Sequence, residues 1–203
     1  MKVIKRMAEP AATLTDQQGN NSLIEELYEW AGTISYSIAI VVLMFSLIFR
    51  IMGVSGISME NTLNQGVQEE SQTQDRVVIS DLNYTPRQGD IVAIHKKIGD
   101  ISLIVKRVIA VENQKVSFNF DRHIVYVDGK VLKEPYIKDR TVNDVNYMHF
   151  PITVPKNCVF VMGDNRGLGN SYDSRCFGCI NKKSIIGKAY FRILHINRIG
   201  FLS

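Results

Sequence analysis

Apolar and polar positions are distributed along this chain in three textures. Residues 1–29 are polar and of mixed charge, residues 31–49 carry no charge, and from residue 75 apolar residues recur in short runs. The uncharged run is nineteen residues long and is bracketed by Trp30 and Arg50. As a helix it rises about 28 Å, close to the hydrocarbon thickness of a bilayer. A buried core helix would show a polar stripe, whereas this run holds only scattered serines and a threonine. A cleavable signal sequence begins near the N-terminus and ends in small residues, but this run starts at residue 31 and is followed by Arg50-Ile-Met-Gly. Residues 31–50 are therefore expected to be a retained transmembrane anchor. Its orientation is not set by charge: Lys2, Lys5 and Arg6 lie far from the span, and Arg50 argues mildly against an inside N-terminus. Before it, residues 11–21 read as loose. Residues 22–30 read as a short helix, with Ser22 as cap and Glu25 completing a capping box.

The later texture is that of strands. Residues 76–80 and 90–95 are β-rich and are divided by the turn-forming stretch 83–89. Residues 101–111 read as one long strand. Residues 124–132 contain Asp128-Gly129, the mark of a tight hairpin. Residues 158–162 form a buried-type strand that runs into the polar, Gly-rich loop 163–175, and residues 184–194 close the chain as a strand. The fold class expected is mostly β: a tail (1–30), one N-terminal anchor (31–50) and a β domain (51–203). Residues 112–155 form a smaller inserted β region within that domain.

Composition removes some functions. A net charge of +4, from 24 basic and 20 acidic residues, is too small and scattered for a nucleic-acid surface. The three cysteines are too few for a disulfide framework. The single Cys176-Phe-Gly-Cys179 lacks the further ligands of a zinc site, so a pair of packed thiols is expected, with a tight disulfide as the alternative. The four histidines have no motif-like spacing and are read as surface or core residues.

Candidate chemistry rests on Ser58 and Lys106. Ser58 lies just beyond the apolar run, in a Gly-containing segment where backbone can approach a ligand closely. Lys106 interrupts an otherwise apolar strand, in which Ile104, Lys106, Val108 and Ala110 would share a face. Burial disfavours an ammonium and lowers its pKa, which a lysine base requires at neutral pH. A hydroxyl beside such an amine is a known nucleophile–base pairing. The plain alternative is a loop serine and an edge-strand lysine whose stem reaches water.

The order of motifs decides between these. After the anchor come Ser-Met-x-x-Thr-Leu, Gly-Asp-Ile-Val, Lys-Arg-Val-Ile, and Gly-Asp-Asn-Arg followed by Ser-x-Asp-Ser-Arg. Over residues 30–203 this resembles the bacterial type I signal peptidases, membrane-bound Ser–Lys proteases that remove signal peptides from exported preproteins. The resemblance implies a signal-peptidase-like β domain with Ser58 as nucleophile and Lys106 as general base. It further implies that Ser171 holds the lysine amine, that Asp173 and Arg175 form an ion pair beneath the site, and that Asp164 and Arg166 open the same loop. Shallow apolar subsites are implied at Val54, Met59, Leu63, Ile104 and Val105, with the substrate extended against residues 54–57 and 101–105. The oxyanion would take the N–H of Ser58; where some relatives carry a hydroxyl two residues earlier, this chain has Gly56. Asn61 stands where the family usually has proline, and Gly167-Leu-Gly-Asn170 is longer than the usual two residues. No cofactor or metal is implied. The implied partners are the signal peptides of preproteins and the lipid bilayer, with the catalytic domain on the extracytoplasmic face of the cell membrane. Two rivals are a self-cleaving Ser–Lys repressor and a catalytically silent β domain displayed on a membrane.

Overall fold

A computed structural model describes residues 12–64, 75–99, 101–143, 148–193 and 199–202. The chain divides into two units, Met1–Leu47 and Ile48–Ser203. The first is dominated by one helix, α1 (Ala12–Ile48), of 37 residues. It runs unbroken through Ser22, so the expected loose stretch at 11–21 and the cap at Ser22 are corrected. Once the apolar segment has nucleated a helix, each further turn is added at little cost, and residues 12–30 hold no proline to stop it. Within it, Leu23–Ile48 forms a 26-residue stretch long and apolar enough to cross a membrane, none of it buried within the structure. Its threonine and serine hydroxyls are satisfied within the helix. Thr33, Ser35 and Ser37 donate to the carbonyls four residues back, at 2.9, 2.7 and 2.8 Å, which removes exposed donors from an apolar surface.

The second unit holds two antiparallel sheets. The larger has eight strands: β1 (Arg50–Gly53), β2 (Arg76–Ser80), β3 (Ile91–Ile98), β4 (Ile101–Val111), β9 (Cys158–Met162), β10 (Ile180–Asn181), β11 (Ile185–Arg192) and β12 (Gly200–Phe201). Their order is β1-β2-β11-β3-β4-β9-β10, with β12 on β11. The smaller, ordered β7-β6-β5-β8, uses β5 (Lys115–Asn119), β6 (Ile124–Val127), β7 (Lys130–Val131) and β8 (Ile152–Thr153). All of it comes from the stretch read as an insert. Successive side chains of a strand face opposite ways. Accordingly Ile91 and Ala93 enter one buried cluster and Val92 and Ile94 another. Cover on both faces is why these strands read as unbroken apolar runs.

Two features of the larger sheet position the site. β4 pairs with β3 from Ile101 to Arg107, but with β9 only from Arg107 onward. Among the described residues, the other edge of residues 101–106 is therefore unpaired. β1 is the end strand and runs on into residues 54–58. The cysteines are all free thiols, with Cys158 and Cys179 packed in the apolar cluster beneath the smaller sheet. Burial, with Cys158 nearby, pushes the Cys179 thiol up to about 11.

Candidate active site

The turn after β1 determines where Ser58 points. Glu60 N–H donates to the Ile57 carbonyl at 2.9 Å, and Thr62 and Leu63 N–H donate to the Met59 carbonyl at 3.1 and 2.8 Å. This winding drives Met59 and Leu63 into the core cluster that also holds Val77, Ile79 and Ile91. Both were expected to line subsites; at 1 % and 0 % exposure they do not, and that assignment is corrected. Ser58 stays half-exposed on the other side of the turn.

β4 brings Lys106 to it. The ammonium stem is buried, and Nζ lies 2.6 Å from Ser58 Oγ. Burial drives the amine from its ordinary 10.5 down to about 8; Asp173 pulls it back up, Arg175 pushes it down, and Asp164 raises it. The same separation serves an ammonium donating to the hydroxyl or a hydroxyl donating to a neutral amine. A neutral amine there is a base within reach of the serine proton.

The loop after β9 packs against the Ser58 backbone. A Cβ on Gly163 would overlap the Ser171 hydroxyl and the Ser58 carbonyl, so only glycine admits this close approach. Asn165 donates from its backbone to the Ser58 carbonyl (3.1 Å) and from its side chain to the Ile57 carbonyl (3.2 Å). Asp173 accepts from Ser171 Oγ (2.8 Å), from Gly163 N–H (3.1 Å), and from Arg175 through two bonds of 2.9 and 3.0 Å. Burial alone would raise the Asp173 carboxyl, but Arg175 and these donors hold it below its ordinary value. The expected Ser171–Lys106 hydrogen bond does not form among the described residues: the Ser171 proton is committed to Asp173.

A second ion pair underlies the Ser58 turn. Asp164 is held by Arg107 through bonds of 2.9 and 2.8 Å and accepts from Thr62 Oγ1 at 2.5 Å. Arg107 also donates to the Gly89 carbonyl at 2.8 Å and lies 3.9 Å over the Tyr136 ring. Arg166 donates to the Gly163 carbonyl, to Thr141 Oγ1 and to Glu134. Sequence reasoning passed over Arg107, Thr62, Gly163 and Asn165, although each stands inside a quoted motif.

A cleft of about 260 Å³ opens beside the pair. Of the expected subsite residues, Val54, Gly56, Ile104 and Val105 line it with Ser58 and Lys106. Leu103, inside the expected edge 101–105, lines it too, as do Asn170 and Tyr172, which were not foreseen. The Ser58 N–H makes no hydrogen bond among the described residues. No described histidine lines the cleft, and His195 lies outside the described residues.

Comparison with known proteins gives concordant matches. The family model "Signal peptidase, peptidase S26" matches residues 27–194. A probable signal peptidase I-1 of Synechocystis sp. is 37% identical over 155 residues, 71% of each chain. Signal peptidase IB of Staphylococcus aureus is 31% identical over 185 residues, 83% of this chain and 90% of that one. A crystal structure of a signal peptidase I from Enterococcus faecalis V583 aligns at 28% identity and a TM-score of 0.42, over 52% of this chain and 97% of that one.

Proposed function

The chain belongs to the signal peptidase family, peptidase S26, and from that premise we propose that it cleaves signal peptides from exported preproteins, with Ser58 as nucleophile and Lys106 as general base. The observation that carries this reading is the 2.6 Å contact between a buried amine and the serine hydroxyl. Neutral Lys106 takes the Ser58 proton as Oγ attacks the scissile carbonyl. The Ser58 N–H then donates to the developing oxyanion. The lysine returns its proton to the leaving amine, and a water activated by the same amine hydrolyses the acyl-enzyme. Asp173 and Arg175 keep the loop at 163–175 against the pair. Ser171 acts within that support, through Asp173, rather than by holding the amine directly. Asp164 anchors the turn through Arg107 and Thr62.

The substrate lies extended between the free edge of β4 and residues 54–57, a form of strand addition. A shallow cleft walled by Val54, Ile104 and Val105 suits the small residues at positions one and three before a signal-peptide cut. Helix α1 serves as a single-pass anchor, its apolar length matching a bilayer. The β domain works on the extracytoplasmic face. The test is the full chain in detergent with a preprotein, beside Ser58→Ala, Lys106→Ala and Lys106→Arg versions. All three variants are expected to be inactive, the last because guanidinium stays protonated. Cleavage surviving any of these changes overturns the mechanism. Loss of the β domain when intact spheroplasts are treated with external protease is the expected result for orientation; full protection overturns it.

A further inference from the structure

Asn64 closes the nucleophile turn, nearly buried, at a φ of 55°. Its side-chain Oδ1 accepts from the Asp75 N–H at 2.8 Å, and its own N–H donates to Asp75 Oδ2 at 2.7 Å. Its Nδ2 donates to the Val54 carbonyl at 2.6 Å and to the Gly56 carbonyl at 3.2 Å. Val54 N–H in turn donates to the Asp75 carbonyl at 2.9 Å, one step beyond the last β1–β2 pair, Gly53 with Arg76. The side-chain amide thus stands where another residue of β2 would continue the ladder.

The consequence concerns which peptide groups are left over. Along an extended segment the hydrogen-bonding groups of successive residues face opposite edges. Val54 and Gly56 are turned to Asn64 and Asp75, and the exposed residue between them, Ser55, lines the cleft, where by this alternation its peptide groups are left for a ligand. Gly56, at a φ of 84° and without a side chain, has no packing of its own to fix its peptide plane. We propose that Asn64 is a positioning residue for substrate: it sets the edge at residues 54–56 against which the extended peptide docks. This rests on the peptidase reading above and adds to it a residue outside the Ser58–Lys106 pair.

The test compares wild type, Asn64→Asp, and Asn64→Asp with Asp75→Asn, each as the full chain in detergent. Two substrates are used: an extended peptide with small residues one and three before the cut, and a small p-nitrophenyl ester that acylates Ser58 without occupying the edge. The Asn64→Asp change keeps the shape of the side chain but removes the donor to both carbonyls. Peptide kcat/KM is expected to fall about 10- to 100-fold, mainly through KM, with ester hydrolysis within about twofold of wild type. The double variant removes the clash of two carboxylates but does not restore the missing donor, so it is expected to stay impaired on peptide. Full peptide cleavage by Asn64→Asp overturns the proposal. So does recovery in the double variant, or an equal loss on ester and peptide, which would mark a general structural role. Wild-type chain inert toward both substrates would instead overturn the Ser58–Lys106 reading, and this proposal with it.

Discussion

Replacing Lys106 by methionine should abolish cleavage and make the protein more stable at neutral pH. Methionine fills a similar volume without a charge to desolvate, and the half-exposed Ser58 hydroxyl can turn to water. The amine falls from 10.5 to about 8 on folding. At about 1.4 kcal/mol per pH unit, the folded state is disfavoured by about 3 kcal/mol wherever the amine is protonated in both states. That condition holds below pH 8. Between pH 8 and 10.5 the folded chain releases a proton that the unfolded chain keeps, so wild type gains stability as pH rises and the gap closes. Lys106→Met is therefore expected to exceed wild type by about 3 kcal/mol at pH 7 and to converge with it near pH 10.5. The half-buried phenols of Tyr84 and Tyr136, both raised above their ordinary value, are common to the two chains and cancel in the difference. The assay is denaturant unfolding of the full chain in detergent from about pH 6 to 10.5, followed by near-UV circular dichroism of the tyrosines. A variant no more stable than wild type at pH 7, or a gap that does not change with pH, would refute the reasoning.

Other outcomes follow from the same geometry. The kcat/KM of wild type should rise about tenfold per pH unit and level off near pH 8, with roughly a tenth of the amine neutral at pH 7; a profile flat from about pH 6 to 9 contradicts a titrating Lys106. In Asp173→Asn the acid limb should move to lower pH, because the lost carboxylate charge had been raising the amine; the same pH series reads the direction. Gly163→Ala forces a methyl against the Ser171 hydroxyl and the Ser58 carbonyl, and peptide turnover should drop about 100-fold or more. Asp164→Ala leaves the Arg107 guanidinium, 1 % exposed, without its carboxylate; denaturant titration should show a loss of about 3–5 kcal/mol.

Much of this was legible in the chain because the period of the pattern carries it. An uncharged run of nineteen residues announces a helix, and a lysine set in a largely apolar strand announces a buried amine. What escaped depends on turns. Met59 and Leu63 sit close to Ser58 in sequence, yet the winding of residues 57–63 sends them to the core, a direction that spacing does not encode. The partner of Ser171 was missed because a hydroxyl can serve an amine or a carboxylate, and only folding decides that Asp173 is nearer its proton. Asn64 and Asp75 could not be paired by eye, since ten residues separate two common polar side chains. The start of α1 was misplaced for the opposite reason: a locally good cap at Ser22 lost to the propagation of a helix already formed.

Among the described residues, the bare margin of β4 at residues 101–106 is an incomplete fabric of hydrogen bonds, open to extended chains of any origin, copies of the same protein included. Natural sheets usually blunt such margins because they invite aggregation; under the docking proposed above, blunting would also shut out the substrate peptide. Amides facing that margin should exchange quickly with deuterated solvent when it is vacant and slowly when a peptide lies along it. Deuterium uptake at residues 103–106 would then report occupancy even in a Ser58→Ala chain that cuts nothing, and tight-binding peptides should act as protectants of the purified protein.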